Sequence, residues 1–259
     1  MQPCAHSSAA AHYNRCLLSE SQRDRIDVVL VSPRNPLNMG AAARAMANFG
    51  FSRLAVVAPY APLWREARSA VGAPDLLQNA VEFDSLADAV ARSTLVVGTG
   101  TLRYRNPEQP AVSLPDLPSL AARELERGGR LAILFGSEKH GLTREELSFC
   151  HLLVEIPTDS RQPSMNLGQA VAVCLYELAA RCALPEGAAE GSQHRLADCA
   201  DLERLSEVVE EVMLSADAPR DADRHSLRLL LRRLAPSERD ARSMMGLFRR
   251  ILWQLNRKR

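Results

Sequence analysis

Between residues 26 and 183 short apolar runs alternate with longer segments of helical period; beyond residue 195 only the helical period remains. The runs Ile26–Val31, 54–58, 95–98, Leu131–Phe135 and 152–156 are too short for helices, and turn or breaker residues flank them. They predict buried strands. Between them the pattern predicts helices at 40–49, 64–71, 85–91 and 120–127, with a longer one at 167–182. Asn38 stands where its side chain can cap the first of these, and Gly50 stands where that helix ends. Ala41, Ala42, Ala43 and Ala45 give the same helix a small side for close packing. Thr143 and Glu146 have the spacing of a capping box. Strands alternating with helices predict an α/β fold, a mostly parallel sheet covered on both faces. Segment 102–118 is proline-rich and aperiodic, and reads as a long excursion.

Residues 184–195, with Pro185, Gly187 and Gly191, read as a linker. After it Asp198, Asp201, Glu203, Glu207, Glu210 and Glu211 cluster, and beyond Arg224 the sign of charge reverses. Leu227, Leu230, Leu231 and Leu234 make one apolar stripe; Met244, Leu247, Phe248, Ile251 and Leu255 make another. Residues 196–259 therefore predict a small all-α appendage with a basic outer face. Residues 1–24 lack the apolar stretch of a signal peptide and read as a poorly ordered leader. The predicted order is leader 1–24, α/β domain 25–183, linker 184–195 and helical extension 196–259.

Lys and Arg number 32 against 31 Asp and Glu, so global charge makes no case for a polyanionic partner. Only its distribution can. The six cysteines include no C-x-x-C pair and no histidine at metal-ligand spacing, so neither a disulfide framework nor a metal site is expected. Reduced thiols suit a cytoplasmic protein, and no apolar run is long enough to cross a membrane.

Candidate chemistry lies at the ends of the predicted strands, where parallel sheets gather their ligand loops. Gly98-Thr99-Gly100-Thr101 leaves one strand, and Gly136-Ser137-Glu138-Lys139-His140-Gly141 leaves another. Ile156-Pro157 and the polar loop 158–163 follow a third, and Ser164-Met165-Asn166 opens the long helix. No dinucleotide fingerprint or Walker loop is present. Glu138 between two glycines is unusual for a plain turn, and glycines let backbone approach a ligand. Lys139 and His140 read as solvated loop residues. One of Ser164 and Asn166 is expected to cap the helix; the other is free to face a ligand. Arg44 alone reads as a solvated surface arginine, or as a clamp for phosphate or alkoxide. Cys150-His151 is set aside as a nucleophile–base pair, since adjacent side chains seldom face each other.

Three motifs in order resemble the SPOUT superfamily of RNA methyltransferases, in its TrmH-like branch. They are Asn38-x-Gly40-Ala-Ala-x-Arg44, Leu134-Phe-Gly136-x-Glu138-x-x-Gly141-Leu142, and Ile156-Pro157 followed by Ser164-Met165-Asn166-Leu167. Gly98-Thr99-x-x-x-Arg103 and the extension carrying 229–234 look most like the TrmJ subfamily, which modifies the ribose 2′-hydroxyl at position 32 of the tRNA anticodon loop. The resemblance implies a parallel sheet whose C-terminal part threads into a deep trefoil knot, a rare departure from unknotted topology. It implies S-adenosylmethionine as cofactor, lined by Thr99, Gly100, Thr101, Gly136, Ile156, Ser164 and Met165. It also implies a homodimer in which Arg44 of one subunit serves the other. Arg44 would anchor phosphate and stabilise the alkoxide, with Asn38, Glu138, Ser164 and Asn166 fixing loops and ribose. An rRNA ribose methyltransferase and a non-catalytic RNA-binding protein of the same fold remain as alternatives. The loop 158–163 matches no family pattern, which leaves substrate choice open.

Overall fold

The computed structural model describes residues 18–101, 107–182, 195–216 and 224–257. The strands are β1 (Ile26–Val31), β2 (Leu54–Val57), β3 (Val81–Phe83), β4 (Leu95–Thr99), β5 (Ala111–Ser113), β6 (Leu131–Phe135) and β7 (Leu152–Glu155). They form one sheet in the order β3-β2-β1-β6-β4-β7-β5, with every pairing parallel. β1 and β6 are buried along their whole length, as expected for central parallel strands with both faces covered. Asp27 is the one charged residue within β1, and Arg53 and Arg130 neutralise it at 2.5 and 3.1 Å.

The helices are α1 (Glu20–Arg23), α2 (Pro36–Asn48), α3 (Pro74–Gln78), α4 (Leu86–Val90), α5 (Leu117–Glu126), α6 (Arg144–Leu147), α7 (Leu167–Arg181), α8 (Cys199–Ser215), α9 (Arg224–Leu234) and α10 (Glu238–Arg257). Strand side chains alternate between two cores. Val28, Leu30, Ile133 and Phe135 pack under α2, α5 and α7, while Val29, Val31, Ala132 and Leu134 face α4, Phe149 and Cys150. A Cβ on Gly168 would stand 2.7 Å from the Ala41 Cβ, so the small side of α2 lets α7 cross it closely.

Several boundaries differ from the pattern reading. The first long helix begins at Pro36, and Asn35 caps it by accepting from the Leu37 amide at 2.9 Å. Pro36 at the first helical position is favourable because its missing N–H would be unpaired there in any case. That leaves Asn38 free for another task. The helix expected at 64–71 is a 3-10 turn at Trp64–Glu66, with α3 following. β3 and β5 were not expected: three residues are too few to show a period, and β5 sits at the sheet edge directly after Pro110. The expected leader closes early. Leu18 is buried, and Ser19 and Gln22 form a capping box on α1. Residues 1–17, Arg103 within 102–106, the linker residues 184–194, and Lys258 with Arg259 lie outside the described residues.

The C-terminal helices share a small core of Ala197, Leu202, Leu205, Leu227, Leu231 and Ala241. They also dock on the α/β domain, with the Cys199 and Ala200 amides donating to the Ser93 and Ala91 carbonyls at 3.0 Å. The basic outer face is only partly as expected. Arg233, Arg239, Arg242, Arg249, Arg250 and Arg257 are exposed, but Arg228 and Arg232 are buried in the junction. Both pair with Glu203 (2.8 and 3.2 Å), and their guanidinium carbons lie 4.1 and 5.5 Å from the Phe149 ring centre. Charge counting could not reveal this, because these arginines keep the spacing of a surface stripe.

Candidate active site

Three strand-end loops close on one cleft of about 380 Å³ at the carboxyl edge of β4, β6 and β7. Thr99, Gly100, Thr101, Gly136, Ile156, Ser164 and Met165, all singled out in the sequence, line it together. The loops are pinned to one another. The Thr99 hydroxyl donates to the Leu134 carbonyl (2.8 Å), the Thr101 hydroxyl to the Pro163 carbonyl (3.0 Å), and the Gly100 amide to the Val154 carbonyl (3.3 Å). Both threonine protons are thus committed to the protein, and their oxygens remain as acceptors. Leu142 and Leu167, the last residues of the second and third motifs, and Ala170, which no motif contains, add apolar wall. Lys139 and His140, read as solvated, are exposed but stand on the rim.

Glu138 is the hinge pin of the arrangement. Its carboxylate accepts from the Arg34 amide (2.9 Å), the Asn35 amide (3.0 Å) and the Asn38 side-chain amide (2.9 Å). Asn38 in turn accepts from the Asn166 side chain at 2.9 Å, and Asn166 caps α7 by accepting from Gly168 and Gln169. Asn166 is therefore the cap, and Ser164 is left at the cleft. The chain Glu138–Asn38–Asn166 fastens the β6 loop and the start of α7 to the start of α2. These contacts span 100 and 128 residues of sequence, so no spacing rule could supply them. Partial burial alone would raise the Glu138 pKa, but the hydrogen bonds from Asn38, Arg34 and Asn35 outweigh it and hold the carboxyl below the ordinary 4.5.

The sign of that shift sets an expected pH dependence. A depressed carboxyl stabilises the fold above its ordinary pKa, and the contribution is lost as pH falls through the lowered value. Ligand affinity of the cleft should therefore not change on Glu138's account at any pH above 4.5. Glu138→Gln should weaken binding at neutral pH, because its NH₂ group would face the Arg34 or Asn35 amide. Calorimetric titration of wild type and variant across pH 4 to 8 checks this; a variant matching wild type at pH 7 would remove the anchor role.

Arg44 lies elsewhere. It is exposed on α2, six residues past Asn38 and so about 120° round the helix from it. It does not line the cleft. Cys150 is buried and His151 half-buried: the His151 Nδ1 accepts from the Val96 amide at 3.0 Å, and desolvation of the ring with the nearby Arg232 charge pushes its pKa down to about 3. Burial also pushes the Cys150 thiol up to about 12. A neutral imidazole and a protonated thiol locked at the start of β7 have no nucleophilic role at neutral pH.

The SpoU rRNA Methylase family profile matches residues 25–176, the span holding every strand and all three cleft loops. The chain belongs to the SpoU methylase family. It is 35% identical over 234 residues to the tRNA (cytidine/uridine-2′-O-)-methyltransferase TrmJ of Pectobacterium atrosepticum, a match covering 88% of this chain and 95% of that one. To the TrmJ of Pseudomonas aeruginosa strain UCBPP-PA14, a tRNA (cytidine/uridine/adenosine-2′-O-)-methyltransferase, it is 40% identical over 156 residues, 60% of each chain. Among solved structures, TrmJ from Z. mobilis superposes with a TM-score of 0.75 at 27% identity, over 87% of this chain and 98% of that one. Matching over 88% and 87% of its length, more than residues 1–195 make up, the chain shares part of the helical extension with these relatives. It is a methyltransferase.

Proposed function

We propose that this chain methylates a ribose 2′-hydroxyl of tRNA, in the anticodon loop at position 32, using S-adenosylmethionine. The observation that carries the reading is the single cleft built by the ends of β4, β6 and β7 and latched to α2 through Glu138, Asn38 and Asn166. The cleft suits the cofactor. Its volume falls in the range of small-molecule sites, and Leu142, Ile156, Met165 and Leu167 offer apolar wall for a purine. Gly136 and Gly100 let backbone amides and carbonyls approach it closely. The bound cofactor would supply an electrophilic methyl on a sulfonium. The long matches to TrmJ relatives favour tRNA over rRNA as substrate, and an enzyme of tRNA fits the cytoplasm.

The chain's own residues would do the rest. Ser164, at the cleft with α7 just behind it, orients the ribose. Arg44 binds the RNA phosphate beside the target and stabilises the alkoxide that forms as the 2′-hydroxyl gives its proton to water or to that phosphate; a guanidinium is suited to holding charge, not to removing a proton. Because Arg44 stands off its own cleft, the reading places it in the cleft of a second subunit in a homodimer. The place of β7 between β4 and β5, with the three strand-end loops hydrogen-bonded to one another, supports reading this part of the chain as a trefoil knot. Among the described residues no helix is long and apolar enough to cross a membrane.

Arg44→Ala is expected to bind S-adenosylmethionine within twofold of wild type and to lose at least about 100-fold in methyl transfer, as removal of one charge-stabilising donor does elsewhere. Radiolabelled transfer to tRNA with nucleoside mass spectrometry reads both the rate and the position. Gly100→Leu fills the cleft, since a Cβ there meets nothing within 4 Å. If subunits complete each other's sites, mixing the two inactive variants restores activity; no restoration would argue for a site completed within one subunit.

A further inference from the structure

Beside the cleft, at the same carboxyl edge of the sheet, an arginine and a tyrosine are stacked in the open. The Arg34 guanidinium carbon lies 4.6 Å from the centre of the Tyr60 ring, and Tyr60 is 73% exposed. The pair is built by backbone. Ser32 and Ala58, just past β1 and β2, both take left-handed conformations (φ 48° and 44°), which non-glycine residues rarely adopt. Their amides are still held by the sheet, donating to the carbonyls of Val57 (2.8 Å) and Phe83 (3.1 Å). The Tyr60 amide then donates to the Pro33 carbonyl at 3.0 Å, which locks the two loops side by side. Arg34 is fixed from the other direction, because its own amide donates to Glu138 on the cleft. Among the described residues no carboxylate pairs with the Arg34 guanidinium. Leu37 in the first turn of α2 and Leu63 in the connection after β2 are exposed as well.

A large aromatic left in water with an unpaired guanidinium on its face contributes little to folding. It has the makeup of an RNA-binding platform: unstacked bases pack on aromatic and guanidinium planes, and the cation also meets phosphate. We propose that Arg34 and Tyr60 form a stacking subsite for an unpaired nucleobase of the RNA, flanking the nucleotide being methylated. This rests on the methyltransferase reading above. The tie from Arg34 through Glu138 to the cleft couples the position of that base to the loop that shapes the cofactor site. The two residues are positioning residues; neither touches the reacting atoms.

Tyr60→Ala tests it in the full-length enzyme, with Tyr60→Phe as the conservative variant. Base–aromatic stacking predicts a KM for tRNA raised about 5- to 100-fold in Tyr60→Ala. The phenylalanine variant should stay within about twofold, and kcat at saturating tRNA and affinity for S-adenosylmethionine should be unchanged in both. Arg34→Ala should raise the same KM, and the double variant should be less than additive. An unchanged KM for Tyr60→Ala overturns the subsite while leaving the methyltransferase reading intact. A KM effect accompanied by loss of oligomer mass in sedimentation also overturns it, since Tyr60 would then be an assembly residue. Failure of the wild-type enzyme to methylate tRNA at all would instead remove the functional reading.

Discussion

Gly136→Ala is expected to abolish measurable S-adenosylmethionine binding, a loss of at least about 100-fold in affinity, or about 3 kcal/mol. A Cβ at Gly136 would stand 2.5 Å from the Gly141 carbonyl oxygen, and closer still to the Gly141 carbonyl carbon and the Leu142 nitrogen. All three are backbone atoms, so no side chain can swing away to make room. Nor can the loop yield as a unit. The Gly141 amide donates to the Ser137 carbonyl at 2.8 Å, Gly141 itself is left-handed (φ 65°), and Glu138 is fastened to Arg34, Asn35 and Asn38. The added methyl must therefore shift Gly141 and Leu142, both cleft-lining, or tear Glu138 from α2. Forcing one methyl group into packed structure costs about 1–3 kcal/mol in stability, enough to lower the melting temperature by several degrees in a chain of this size. Gly246→Ala is the control, because a Cβ there meets nothing within 4 Å and the residue lies inside α10. It should bind cofactor normally and melt at or above the wild-type temperature. Calorimetry and thermal melts of the two variants decide; undiminished binding in Gly136→Ala would falsify the close-packed loop.

The sequence made much of this legible, for physical reasons that differ by element. β1, β2, β4, β6 and β7 are buried on both faces, so they appear as continuous apolar runs that need no partner to be recognised. The cleft residues lie directly at the ends of those runs, which is why Thr99, Gly100, Gly136 and Ile156 could be named before their proximity was known. β3 and β5 are edge strands of three residues, and their pairing is set by neighbours far along the chain. Asn35 and Asn38 both satisfy the preference for a cap; Pro36 was the signal that could have separated them. The task of Asn38 is not a local property at all, since it depends on Glu138 and Asn166 arriving from about 100 and 128 residues away. The same holds for Tyr60 and Arg34, which no periodicity relates.

Glu203→Ala is expected to destabilise the chain by about 3–5 kcal/mol, a fall in melting temperature of roughly 10 °C. The reason is an imbalance of charge in the junction between the α/β domain and the helical extension. One carboxylate serves two guanidinium groups whose side chains are 8% and 1% exposed, Arg228 and Arg232. Removing it leaves two buried cations with no opposite charge among their observed partners. Those partners are the Phe149 ring, the Phe149 carbonyl (2.9 Å from Arg232 Nε), the Arg228 carbonyl, the Ser148 hydroxyl and the Cys199 thiol. Neutral oxygens do not offset the desolvation of a full charge. Arg232→Ala should cost less than Glu203→Ala, because Arg228 and Glu203 then remain as a matched pair. Exposed Arg233→Ala, one residue along α9, should change stability by under about 0.5 kcal/mol. The order Glu203 > Arg232 > Arg233 distinguishes a buried charge site from a generic helix effect, which would rank Arg232 and Arg233 together. It also bears on function, since Ser148 and Phe149 join α6 to β7 and so the extension grips the segment that leads into the cleft's third loop. Glu203→Ala should therefore weaken S-adenosylmethionine binding even at temperatures where the fold persists, and titration well below its melting point measures that coupling.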